Sequence, residues 1–251
     1  MTDLDGRVVV ITGGNGGIGL GMAHGVAAAG AAVAVWGRDE AKNDAAVEAL
    51  RAAGAVASSV VVDVADEAAV DAAMAQTLDV HGRVDTMIAN AGIGGGAPFV
   101  DQTLEQWRRV MAVNLDGAFL CFRAATRHLL ERGEGGSLIG VSSTSAIHGA
   151  PANQAYSCSK TAMIALIRGL AVELARHGVR VNGIMPGWVE TDMTAPLKGW
   201  EKFMANTTAR TPVRRWGVPS DFAEAAAFLA DPALTFHTGD LLVIDGGYSI
   251  F

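Results

Sequence analysis

The sequence predicts an α/β fold, a single domain built on a doubly wound parallel sheet of about seven strands with helices on both faces. Three observations predict it. Short β-branched apolar runs alternate with longer helical stretches along the whole chain. The first of these runs, Val8 to Ile11, is apolar throughout rather than alternating, as a strand buried on both faces requires. A glycine-rich turn then joins that run to the first helical stretch.

The elements follow in order. Ile18 to Ala29 reads as a helix stopped by Gly30, and Ala32 to Trp36 as the second strand. Asp39 to Ala53 is a helix ended by Gly54, and Ser59 to Val62 the third strand. Glu67 to Leu78 is a helix, followed by the fourth strand at Thr86 to Ala89. A helix over Leu104 to Val113 continues, or is followed by another, as far as Leu130. Ser137 to Val141 is the fifth strand. Tyr156 to His177 is a long helix with Gly178 just past its end, a good stop signal. Val179 to Met185 and Leu241 to Ile244 supply the sixth and seventh strands. Asp221 to Glu224, after Pro219, caps and starts a further helix. The stretch 188–219 is the least regular, rich in Trp, Met, Thr and Pro, and is read as a lid. No internal repeat or linker divides residues 1–251.

The bulk composition fits one soluble domain. Half of the 251 residues are hydrophobic and 18% are charged, too apolar a mixture for disorder. The net charge is -7 with scattered positive residues, which argues against a nucleic-acid or anionic-membrane surface. Two cysteines, Cys121 and Cys158, imply neither a disulfide framework nor a thiolate zinc site, and the six histidines show no ligand spacing. No metal is implied. No signal peptide or membrane-length apolar run is visible, so the expected compartment is the cytoplasm.

The turn Thr12-Gly-Gly-Asn-Gly-Gly-Ile-Gly19 carries the first functional signal. A strand, a glycine turn and a helix in succession form the pyrophosphate site of dinucleotide-binding sheets. Glycines let the backbone approach phosphates, and the helix N-terminus offers free N–H groups and a favourable dipole. Gly13, Gly17 and Gly19 are the spaced glycines, with Asn15 and Ile18 between them. At the end of the second strand, where an acid would hold the ribose hydroxyls of NAD, stands Gly37, followed by Arg38. A guanidinium there suits a 2′-phosphate and favours NADP. The alternative is that Arg38 is a solvated surface charge, with Asp39 or a backbone group serving NAD. Asp63 follows the third strand and offers an acceptor to an adenine amino group, with Val64 alongside. Asn90-Ala91-Gly92 ends the fourth strand, where small residues let a cofactor lie close.

Tyr156 and Lys160, four apart on one helix, share a face. An ammonium beside a phenol stabilises the phenolate, and a phenol so tuned can protonate a carbonyl oxygen or deprotonate an alcohol. Val141-Ser-Ser-Thr-Ser145 ends the fifth strand at the ligand-binding edge, so a serine there can hold the reacting oxygen. Asn114, in a helical stretch, is an amide that needs partners if buried.

Together these residues resemble the short-chain dehydrogenase/reductase superfamily, in its single-domain Rossmann-like form of about 250 residues. The likeness covers nearly the whole chain. It rests on Thr12-Gly13-x-x-x-Gly17-x-Gly19, Asp63, Asn90-Ala91-Gly92, Asn114, Ser143, Tyr156-x-x-x-Lys160, Pro186-Gly187 with Thr191, and Asp245-Gly-Gly247. Ala89 departs from it by replacing the first of two common asparagines. The resemblance implies that Ser143 binds the reacting oxygen and that Tyr156 is the general acid/base. It implies that Lys160 tunes Tyr156 and binds the nicotinamide ribose, and that Asn114 holds a proton-relay water. Val189 and Thr191 are implied to contact the carboxamide, and Ile18 and Asn90 the cofactor. It also implies a homotetramer.

The expected activity is hydride transfer between NADP(H) and a secondary alcohol or ketone. The alternatives are an NAD-linked alcohol or polyol dehydrogenase and a non-catalytic dinucleotide sensor. Trp188, Met193, Trp200 and Phe203, in the lid, suggest a small apolar or ring-bearing substrate, or else bury the lid against the body or a neighbouring subunit.

Overall fold

β1 (Val8–Thr12), β4 (Thr86–Ala89) and β6 (Val179–Pro186) are buried along their entire lengths. Strands of this kind need cover on both faces, and helices supply it. The structure, a computed structural model, describes residues 2–251. β2 (Ala32–Gly37), β3 (Ala57–Val61), β5 (Gly136–Val141) and β7 (Leu241–Ile244) complete a parallel sheet in the order β3-β2-β1-β4-β5-β6-β7.

The two-residue strand period sends neighbouring side chains to opposite faces. Met87 and Leu138 join a core with α3 (Glu67–His81), α5 (Gly117–Arg132) and α6 (Gln154–Leu174). Ile88 and Ile139 join the opposite core, with α1 (Gly17–Ala28), α2 (Glu40–Ala52) and α8 (Ala223–Ala230). Gly21 and Gly25 on α1 make close packing possible, because a Cβ at either would overlap the carbonyl of Pro219 or of Ala223.

The chain runs from β1 to β3 in one direction and then returns to place β4 on the other side of β1. The crevice at that reversal, on the carboxyl edge, is where open α/β sheets bind ligands. The opposite edge is tied down by Asp85, whose carboxylate accepts from the Val8 backbone N–H at 2.9 Å. It also pairs with Arg7, Arg83 and Arg132 at 3.1, 2.7 and 3.0 Å.

Most expected boundaries differ from the observed ones by a residue or two. The third strand begins earlier, at Ala57, and the long helix at Gln154, its last turn tightening to a 3-10 turn over Ala175–His177 before Gly178. α4 (Leu104–Met111) runs into α5 through a π-helical turn over Ala112–Asp116. Asp221 lies in a 3-10 turn, Pro219–Phe222, rather than heading α8 directly. Its carboxylate accepts from the Val218 N–H at 2.8 Å. The expected lid is more ordered than its composition suggests. It carries α7 (Glu201–Arg210), and its two ends are joined by a parallel bridge between Val189 and Gly217. Among the described residues, no helix is long and apolar enough to cross a membrane.

Candidate active site

Ser142 and Ser143 directly follow β5, and the two hydroxyls have different tasks. Ser142 donates to the Lys160 carbonyl at 2.8 Å and so ties the strand to α6. Ser143 faces a cavity of about 290 Å³ together with Tyr156 and Lys160. Lys160 is 3% exposed, and its Nζ donates to the Val141 carbonyl at 2.8 Å. That Nζ stands 5.6 Å from the centre of the Tyr156 ring. Burial lowers the ammonium pKa to about 8. Burial also raises the Tyr156 phenol above its ordinary value, and the Ser143 hydrogen bond pulls it back in part. The lowering expected from the neighbouring ammonium is thus not found in the chain itself, where desolvation of the phenolate dominates.

Asn114, fully buried, sits in the π-helical turn. Its Oδ1 accepts from the Ile93 N–H at 2.8 Å, and its Nδ2 donates to the Ile93 carbonyl at 3.0 Å and to Ser159 Oγ at 3.1 Å. Both amide hydrogens are therefore used, and the side chain tethers the loop after β4 to α6. Gly92 lies between the groups, because a Cβ there would be 3.3 Å from Asn114 Oδ1 and 3.4 Å from Lys160 Nζ.

The glycine turn forms another wall of the same cavity through Gly13, Asn15, Gly17 and Ile18. Gly13 and Gly17 have φ of 63° and 49°, a region that favours glycine. No side chain caps α1, so the N–H groups of its first turn remain available to an anion. A Cβ on Gly17 would stand 3.1 Å from the Thr191 side chain and narrow that approach. Gly19 does not line the cavity; a Cβ there would overlap the Gly13 carbonyl, so its smallness shapes the turn from behind. Asn90 lines the cavity, but its Nδ2 donates to the carbonyls of Thr12 and Gly13 at 2.9 and 3.2 Å. It braces the turn against β4. Ala91 and Gly92 follow it, and Pro186, Gly187, Val189 and Thr191 close the far side.

A second groove of about 440 Å³ continues from the turn past Arg38, Asp63 and Val64. At Gly37 a side chain has no space, because a Cβ would overlap Asn15 Nδ2 and Asn43 Oδ1, which are bonded to each other at 2.7 Å. An acid is therefore excluded sterically at the end of β2. Arg38 is 57% exposed, and its nearest carboxylate is Asp63 at 3.9 Å, which leaves the guanidinium accessible. The two grooves thus fit a dinucleotide, with free helix N–H groups at the centre and a cation at one end.

Beyond Gly92 a third space of about 660 Å³ opens between Gly94–Gly96, Arg109 on α4 and Met193. The other lid aromatics point elsewhere. Trp188 stacks on Trp216 at 5.4 Å and meets Phe203 edge-on at 5.0 Å, while Trp200 stacks on Phe203 at 5.2 Å. Their mutual packing accounts for Trp188, Trp200 and Phe203 without any ligand. Two residues not singled out in the sequence stand at the grooves: Lys42 and Asp192, paired at 2.8 Å. They are 150 positions apart, and neither has a local signature.

Comparison with known proteins places this geometry in context. A family model described as enoyl-(acyl carrier protein) reductase matches residues 13–249. The chain is 38% identical over 247 residues to a 5-keto-D-gluconate 5-reductase of Escherichia coli K12, covering 98% of this chain and 97% of the relative. It is 40% identical over 247 residues to a short-chain dehydrogenase/reductase of Hericium erinaceus, covering 96% of each. A crystal structure of a gluconate 5-dehydrogenase from Burkholderia cenocepacia, in complex with NADP and tartrate, superposes with a TM-score of 0.95 at 36% identity. That match covers 100% of this chain and 98% of the other.

Proposed function

The chain belongs to the short-chain dehydrogenase/reductase superfamily, and from that membership we propose that it interconverts a secondary alcohol and a ketone with NADP(H), using Tyr156 as general acid/base. The observation that carries the proposal is the convergence of Ser143, Tyr156 and Lys160 on one cavity walled by the uncapped glycine turn. Bound cofactor supplies or accepts the hydride. The protein positions and polarises. Ser143 Oγ and the Tyr156 hydroxyl bind the carbonyl oxygen, and Tyr156 gives it a proton in the reductive direction. Lys160, anchored to Val141, keeps N–H donors that would hold the ribose hydroxyls of a bound cofactor. Any proton-relay water at Asn114 falls to its backbone or to the remaining lone pair of Oδ1, since both amide hydrogens are committed.

A phenol held above its ordinary pKa is a standing proton donor. Ketone reduction is therefore expected to fall as pH rises through that value, and alcohol oxidation to rise. Tyr156→Phe should lower turnover by about 10²- to 10⁴-fold while NADPH binding persists. NADPH binding with no turnover across a ketone and polyol panel, unaltered by that substitution, would instead identify a sensor. The relatives' names support a small oxygen-rich substrate, a sugar acid or polyol, over an apolar one.

Arg38 supports NADP over NAD. We expect Arg38→Ala to weaken NADPH about tenfold and NADH hardly at all, since a charge-assisted hydrogen bond is lost. Equal effects on both nucleotides would remove that role. Exposed Phe99 and Val100 just before α4, Leu104 at its start, and Phe251 support the expected tetramer, testable by mass measurement in solution.

A further inference from the structure

The Lys42–Asp192 pair joins α2 to the start of the lid. Lys42 is in the first turn of α2, two residues into the helix that Asp39 caps, and Asp192 follows Thr191 at the start of the lid. Both residues line the catalytic cavity and also the groove that runs to Arg38. The same two spaces share a floor made of Gly13, Asn15, Ala91 and Gly92. The pair therefore lies at the junction of the grooves. Asp192 also lines the third space, beside Gly92 and Met193. Each partner's pKa moves in the direction that favours the ionised pair, Lys42 upward and Asp192 downward, through their shared hydrogen bond and charge. Asp39 adds a weaker charge that acts on Lys42 in the same direction.

We propose that Lys42 and Asp192 form a strap across the dinucleotide groove that retains bound cofactor at its middle. The inference rests on the nicotinamide cofactor reading above. A strap of this kind acts on release. Cofactor cannot leave the junction without the pair parting, so the ion pair contributes to the barrier for dissociation. It reads neither end of the nucleotide, so it serves NADPH and NADH alike. A simple phosphate ligand would act differently: Lys42 alone would matter, and it would matter more for the nucleotide carrying the extra phosphate.

The test is a double-mutant cycle on cofactor release, measured by the fluorescence of reduced nucleotide chased with an excess of the oxidised form. Both side chains are exposed, so neither substitution threatens the fold. Lys42→Gln and Asp192→Asn should each speed release by roughly two- to fivefold, the range of an exposed pair. The double variant should be no faster than either single one, and the charge-swapped Lys42→Asp/Asp192→Lys chain should recover slow release. The accelerations should shrink as salt screens the pair. Additive effects, an effect of Lys42→Gln without one of Asp192→Asn, or a change confined to NADPH would each overturn the strap. Failure of the unmodified chain to bind either reduced nucleotide would overturn the cofactor reading itself.

Discussion

Lys160 is both the most buried cation near the cavity and a source of instability. Its ordinary pKa of 10.5 falls to about 8 in the folded chain, because burial penalises the ammonium. The unfolded chain therefore holds the proton more tightly, and between about 8 and 10.5 the folded state gains stability as pH rises. Below that window the full penalty applies, on the order of 3 kcal/mol at 1.36 kcal/mol per unit. Lys160→Met should accordingly raise chemical-denaturation stability at neutral pH while abolishing turnover, and its advantage should shrink toward alkaline pH. A variant no more stable than the unmodified chain would show that the Val141 carbonyl already offsets the burial. At this scale the sequence was informative for some residues and mute for others. Spacing put Tyr156 and Lys160 on one helix face and a serine at the end of the fifth strand, and the family resemblance singled out Ser143 among those serines. It could not reveal that Asn114 spends its amide on Ile93 and Ser159, or that Asn90 braces the glycine turn. Those partners come from other elements and depend on how the backbone of each loop is placed.

Elements meet at two tight junctions whose disruption is measurable. On α1, Gly25 faces the backbone of Ala223, and an added methyl has no space. Gly25→Ala should destabilise by about 1–3 kcal/mol through overpacking, read as a lowered denaturation midpoint. A neutral result would mean that α8 can shift. At the amino edge of the sheet, Asp85 holds three arginines and the start of β1. Its burial alone would raise the carboxyl pKa, but Arg83, the Val8 N–H, Arg132 and Arg7 together bring it below its ordinary value. A lowered carboxyl contributes stability above its unfolded pKa and loses it as pH falls through the folded one. Asp85→Asn should therefore cost about 3 kcal/mol or more near neutrality, and the difference from the unmodified chain should narrow in acid. Hydrophobic period and glycine punctuation made nearly every element legible. The exceptions have physical causes. α7 lacks a long apolar face and is held by Trp216 and Thr207, whose hydrogen bond of 2.9 Å joins it to the lid's far root.

At the scale of the molecule, the chain is acidic and the cofactor proposed for it is a polyanion. A net charge of -7 repels such a ligand at long range, so the proposal assigns the attraction to local groups, the uncapped α1 and Arg38. Raising ionic strength should weaken NADPH binding more than NADH binding, because the extra phosphate relies on an exposed, screenable guanidinium. Equal salt slopes in a fluorescence titration would argue against Arg38 as its partner. The bridge between Val189 and Gly217 has an effect of its own on the chain's history. Backbone bonds of 2.9 Å, from Gly217 to Trp188 and from Glu190 to Gly217, pin both stems of the excursion side by side. The chain between them returns to its own starting point, so its length affects closure entropy only logarithmically. The segment can therefore vary in length between its stems at small entropic cost, while Thr191 and Met193 near its start keep their places on the cavity walls.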